Sequence, residues 1–166
     1  MIVDVNNIDT LDNKNLTICS GWFDLFHIGH LNFLKNAKAQ GNRLCVIVMN
    51  DNDGKVIKGN NRPIINEYQR LEIIDSIKYV DYTILSQDIL HQDNILNLQG
   101  KDLLLWQRYI PIIKRIHPDK VFSLEETLKN NGLGDYIENE LHIKVVYSDR
   151  YNGISTTEIE RKLAVL

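Results

Sequence analysis

The chain has 166 residues, 43% apolar and 25% charged, with 19 basic against 22 acidic side chains and a net charge of −3, a balance that excludes a global electrostatic match to nucleic acid or an anionic membrane surface. The length predicts one domain, 1–166, whose core needs no disulfides, so Cys19 and Cys45, both in apolar runs, are expected as buried, reduced thiols of a cytoplasmic protein. No apolar run approaches the roughly 20 residues that span a bilayer, and residues 1–15, expected as an N-terminal extension, lack the pattern of a signal peptide.

The first elements read as strand, loop and helix. "LTIC" (16–19) is a run of strand formers, and Leu31, Phe33, Leu34, Ala37 and Ala39 then recur at helical spacing up to Gly41. "RLCVIVMN" (43–50) is continuously apolar, as in a strand buried on both faces, and a polar loop with Gly54, Gly59 and Pro63 is expected after it. Asn66 is a good N-cap for "NEYQRLEIIDSI", with Gln69 in the capping-box position and Leu71, Ile74 and Ile77 as the buried face. "YVDYTIL" (79–85) is the third strand. In "KDLLLWQRYIPIIKRI" a helix is expected to kink or split at Pro111. Strands "DKVFS" (119–123) and "IKVVYS" (143–148) flank a short helix near 136–141, and Ser155 with Glu158 forms a capping box for the last helix. Such alternation predicts an α/β fold with a Rossmann-like, doubly wound, parallel five-stranded sheet.

In such a sheet ligands sit beyond the carboxyl ends of the strands, where loops lead into helix N-termini. The first of these loops carries His27 and His30, with Gly29 between them. A helix N-terminus there offers unpaired N–H groups and the positive end of a dipole to a phosphate, and two imidazoles add donors. Taken alone the pair also reads as ordinary helix-start residues. A zinc pair is a further reading, although His91, His117 and His142 show no ligand spacing.

"GWFDLFHIGH" (21–30) closely resembles the G-x-F-D-x-x-H-x-G-H signature of the cytidylyltransferase-like nucleotidyltransferases. "KGNNRPIINEYQRLEIIDSIKYVD" (58–81) is similar to the loop, Glu-x-x-Arg helix and strand of bacterial sugar-phosphate members. "RYNGISTTEI" (150–159) resembles the R-x-x-G-I-S-T-T signature of glycerol-3-phosphate cytidylyltransferase and its relatives. The three stand in the family's order along about 140 residues, and together they imply a fold of the nucleotidylyltransferase type.

The resemblance implies catalytic roles for His27, His30, Lys58, Arg62 and Arg70, all directed at phosphate oxygens, with an ion pair to Glu67 as the other reading of Arg70. It implies nucleotide binding by Gly21, Trp22, Phe23, Asp24, Gly29, Lys55, Arg150, Gly153, Ile154, Ser155, Thr156 and Thr157. Asp24 is also a weak candidate for helping to place Mg²⁺, which enters with the nucleoside triphosphate. The activity implied is transfer of a nucleotidyl group to a small phosphorylated polyol or sugar for envelope or capsule building, with release of pyrophosphate. CTP is favoured over ATP by "RYNGISTT"; ATP with a sugar phosphate or a nicotinamide or flavin mononucleotide is the second reading, and a silent nucleotide-binding module the third. A homodimer is also implied.

Three departures bear on the substrate. Trp22 replaces a small or hydroxylated residue, so it either lines the site or packs behind it. "SLEETLKNNGLGDY" lacks the Gly-Gly-Asp common after the fourth strand, and "KVFSLEE" faintly resembles nicotinamide-mononucleotide adenylyltransferases. Residues 86–116 have no obvious counterpart and are expected as an insertion serving as acceptor pocket, dimer contact or surface elaboration.

Overall fold

The computed structural model describes residues 1–86, 100–129 and 132–165. After a 3-10 turn over Val5–Thr10 come β1 (Leu16–Gly21), α1 (Ile28–Lys38), β2 (Arg43–Val48), α2 (Asp51–Lys58), α3 (Glu67–Asp75) and β3 (Tyr82–Leu85). The second half of the chain supplies α4 (Gly100–Ile116), β4 (Lys120–Leu124), α5 (Glu125–Leu128), α6 (Leu133–Asn139), β5 (Lys144–Ser148) and α7 (Thr156–Leu163). The strands make one parallel, five-stranded sheet in the order β3-β2-β1-β4-β5, which is the expected Rossmann-like architecture.

The run "RLCVIVMN" is apolar throughout because β2 is covered on both sides. Cys45, Ile47 and Met49 meet one face with Val5, Ile8, Ile112, Ile113 and Ile137. Leu44, Val46 and Val48 meet the other with Leu34 and Ala37 of α1 and Leu71 and Ile74 of α3. Each large aliphatic side chain buried in this way contributes about 1.5–3 kcal/mol. Asp81 locks the second face at its base, accepting from the backbone N–H of Leu44 at 2.7 Å and pairing with Lys38 at 2.5 Å. Cys19 and Cys45 are free and buried, and burial pushes both thiols upward from their ordinary pKa.

The structure corrects one local expectation and narrows another. The polar loop after β2 begins with a helix, α2: the Asn50 side chain accepts from Asp53 N at 2.8 Å, and Asp51 and Asp53 precede Lys55 and Lys58 as the helix dipole favours. Gly54 serves close approach, since a Cβ there would lie 2.7 Å from Pro63 Cδ and 2.9 Å from Trp22 Nε1. Pro111 sits inside one continuous α4, so of the two alternatives the split is excluded. Residues 1–15 reach the core through Val3, Val5 and Ile8, with Val3 N donating to Thr83 O at 2.9 Å.

Residues 87–99 of the expected insertion lie outside the described residues. Its last part is core: Tyr109, Ile110, Ile112, Ile113 and Ile116 are buried. This stretch belongs to the crossover that carries the chain from β3 to β4 on the far side of β1, so residues 108–116 are not a surface elaboration.

Candidate active site

The chain winds from β1 outward through β2 to β3 and then returns to place β4 on the other side of β1. The carboxyl ends of β1 and β4 therefore flank the switch point of the sheet, where a ligand crevice forms.

The loop from β1 to α1 is shaped by its own side chains. Phe23 and Leu25 take left-handed backbone conformations, with φ of 55° and 45°. The buried Phe23 ring lies so close to the last residue of β1 that a Cβ on Gly21 would approach its Cζ to 2.9 Å. His27 is the N-cap of α1, its Nδ1 accepting from Gly29 N at 3.1 Å, and one turn later His30 stacks on it with ring centroids 3.9 Å apart and planes 20° apart. The Phe23 and Phe26 rings stand 5.5 Å and 5.6 Å from His30. A Cβ on Gly29 would come within 2.9 Å of His27 Cε1, so this position admits only hydrogen if the stack is to survive.

Electrostatics follow from that packing. Burial lowers the His27 pKa. Burial, then the charges of His27 and Lys58, push His30 down to about 3 against an opposing pull from Asp24. Both rings are thus held toward neutrality near pH 7, and since His27 Nδ1 accepts a hydrogen bond, its proton resides on Nε2. His30 Nδ1 is buried with no hydrogen-bond partner among the described residues.

Asp24 is a loop anchor. Its carboxylate accepts from Ile64 N and Ile65 N, each at 2.9 Å, and from Leu25 N at 3.1 Å, and Arg62 Nε approaches it to 3.0 Å. The loop after α2 is thereby fixed against the loop before α1. Among the described residues no group of three or more His, Cys, Asp or Glu side chains is arranged to share a metal ion.

A second helix N-terminus closes on the first. Ser155 caps α7, its hydroxyl accepting from Glu158 N at 3.2 Å, as the sequence predicts. Thr156 donates to Asp24 O at 3.1 Å, and Ile154 O would stand 3.6 Å from a Cβ on Gly29. Gly153 has φ of +150° in the turn that delivers this segment, while Thr157 is exposed. The loop that leads into "HIGH" and the "GISTT" motif, far apart in the chain, are joined by the hydrogen bond from Thr156 to Asp24 O.

Most of the predicted cations are engaged within the protein. Lys58 Nζ lies 4.9 Å from the centroid of the Trp22 ring, an indole that is half-buried and packed against the core. Lys55 is exposed on α2. Arg62 pairs with both Asp24 and Glu160. Arg70 is fully buried and donates to Ile65 O at 2.8 Å, Trp22 O at 2.5 Å and Asp51 at 2.6 Å, so its carboxylate partner is Asp51 and not the expected alternative Glu67; Glu67 instead accepts from Asp51 N at 2.7 Å. Arg150 pairs with Glu126, on the wall of a cavity of about 400 Å³ between the carboxyl ends of β4 and β5 that Lys129 and Asp149 also line.

Sequence reasoning missed Asp51, Glu126 and Glu160, the partners of those arginines. The only signal for Asp51 was an acid in the first turn after a strand; Glu126 and Glu160 had none. Also missed was a buried cluster between α2 and α4, in which Asp53 receives Arg108 at 3.1 Å and Asn50 at 3.0 Å.

The family model described as cytidylyltransferase-like matches residues 18–162. The bifunctional protein HldE of Helicobacter pylori (strain ATCC 700392 / 26695) is 28% identical over 156 residues, 94% of this chain and 29% of that protein, so the chain spans under a third of that relative's length. The FAD synthase of Thermococcus sibiricus is 29% identical over 157 residues, 93% of this chain and 95% of that one. Among solved structures, the lipopolysaccharide core biosynthesis protein from Thermoplasma volcanium aligns with a TM-score of 0.57 at 27% identity, over 82% of this chain and 98% of that one. Pantothenate synthetase from Thermus thermophilus aligns with a TM-score of 0.69 at 12% identity, over 98% and 70%, a likeness of fold alone.

Proposed function

Because the chain belongs to the cytidylyltransferase-like family, we propose that it transfers CMP from CTP to a small phosphorylated acceptor, a polyol or sugar phosphate of envelope or capsule building, and releases pyrophosphate. The observation that carries this reading is the meeting of two helix N-termini at the switch point, one bearing the stacked His27 and His30 and the other Ser155 to Thr157. Two converging helix N-termini with neutral imidazole donors suit a polyphosphate better than any uncharged ligand.

In the proposed reaction an acceptor phosphate oxygen attacks the α-phosphorus, the bond to the β-phosphate breaks, and pyrophosphate leaves. That oxygen is already ionised at pH 7, so no general base is required, and the protein contributes alignment and charge stabilisation. His27 donates from Nε2, and His30 stands behind it with its hydration removed by Phe23 and Phe26. Lys55 and Lys58 supply positive charge from α2. Mg²⁺, when bound with the triphosphate, neutralises charge on the leaving group. The Asp24 carboxylate, already committed to Ile64, Ile65, Leu25 and Arg62, would be poorly placed to hold that ion.

A second reading, adenylyl transfer from ATP to a flavin or other mononucleotide or a sugar phosphate, is favoured by the similarity to an FAD synthase along 95% of that protein's length. Pyrophosphate release with CTP and ATP offered separately, against glycerol phosphate, sugar phosphates and flavin mononucleotide, distinguishes the two. CTP with a polyol or sugar phosphate is the expected productive pair. Tight nucleotide binding without pyrophosphate release from any pair would identify a binding module instead.

Among the described residues no helix is long and apolar enough to cross a membrane, and we propose a cytoplasmic enzyme, where nucleoside triphosphates and free thiols coexist. A homodimer is part of the proposal, checked by light scattering.

A further inference from the structure

Arg62 is held by two carboxylates of unlike character. Asp24 is buried, 1% exposed, and is satisfied independently by the backbone N–H groups of Leu25, Ile64 and Ile65. Glu160, in the second turn of α7, is 35% exposed and pairs with Arg62 from the solvent side. The guanidinium sits between the loop that carries His27 and His30 and the helix whose N-terminus carries Ser155 and Thr156. With Asp24 the arginine is already neutralised; Glu160 makes the group of three net negative where a polyanion must enter. Glu160 also lies outside all three family motifs.

On the reading of the site as a triphosphate site, we infer that Glu160 is a displaceable counter-ion for Arg62, which the incoming triphosphate replaces and which re-pairs with Arg62 as pyrophosphate departs. The buried Asp24 keeps the guanidinium fixed through the exchange, so the arginine needs no large movement to change partners. Glu160 is then an affinity-setting, positioning residue: it weakens triphosphate binding and hastens product release. Removing its charge strengthens binding, the opposite of what loss of a merely structural ion pair does.

The test is calorimetric titration of the full chain with inorganic tripolyphosphate, which carries no base, and with CTP and ATP. Glu160→Gln and Glu160→Ala are expected to bind tripolyphosphate roughly three- to tenfold more tightly than wild type, the range for freeing one exposed ion-pair partner and removing one nearby like charge. The gain disappears when Arg62→Gln is added to either variant. In turnover, KM for the nucleotide falls in Glu160→Gln while kcat is unchanged or lower. Unchanged or weaker binding in both single variants, or a gain that survives Arg62→Gln, overturns the inference and leaves the proposed function standing. Wild-type protein that binds neither tripolyphosphate nor either nucleotide overturns both.

Discussion

His27 and His30 stack face to face at 3.9 Å, and the hydrogen bond from Gly29 N to His27 Nδ1 fixes which nitrogen of the outer ring carries its proton. The pair is therefore built to present neutral donors, which suits an anion that arrives fully charged. Replacing His30 by Ala removes one donor and the surface on which His27 rests. Pyrophosphate release is expected to fall by about 10²–10³. Circular dichroism should show the fold retained.

Stability should depend on pH through the same pair. The folded-state pKa of His30, about 3, lies below its ordinary value of 6.5, so the unfolded chain binds the extra proton between those limits. The contribution is fully present above pH 6.5 and is lost as pH falls toward 3, with a slope of up to about 1.4 kcal/mol per pH unit. His27 adds in the same direction. Denaturant unfolding of wild type and His30→Phe between pH 7 and pH 4 checks this; the variant should give a flatter profile.

Gly29→Ala is a positional test. Its Cβ would meet His27 Cε1 at 2.9 Å, so the ring must swing away from its hydrogen bond and from His30. Displacement by about 1 Å at a reacting centre costs about 10²-fold in rate. We expect kcat to fall by that order while Tm changes little, because alanine is a good helix residue.

Arg70 is the contrasting case. It is buried, and its three hydrogen bonds tie α3 to Trp22, Ile65 and Asp51. Arg70→Ala leaves the half-buried Asp51 without its cation and should cost about 3–5 kcal/mol of stability. Urea unfolding of this variant should show a large drop in midpoint, and any lost activity should track the unfolded fraction rather than exceed it.

Much of this architecture was legible because its signals are local. The continuous apolar run at 43–48 required a strand covered on both faces, and Ser155 with Glu158 located the start of α7 to the residue. α2 was hidden because Gly54 and Gly59 read as loop formers; only the structure shows Gly54 yielding to Pro63 and Trp22. Arg70 was expected to reach phosphate. Its carboxylate partner within the protein, Asp51, lies 19 residues earlier in the chain, a distance over which side-chain pairing leaves no periodic trace. The same holds for Glu160, whose relation to Arg62 exists only once α7 folds back onto the loop of Asp24.

The central claim is cleavage between the α- and β-phosphates, and phosphorus NMR of the reaction with Mg²⁺, CTP or ATP, and a phosphorylated acceptor tests it most directly. Nucleotidyl transfer predicts free pyrophosphate together with a new pair of coupled resonances from a phosphate–phosphate linkage in the product, both absent with His30→Ala. Orthophosphate and a nucleoside diphosphate in their place would mean attack at the γ-phosphate, and would contradict the account.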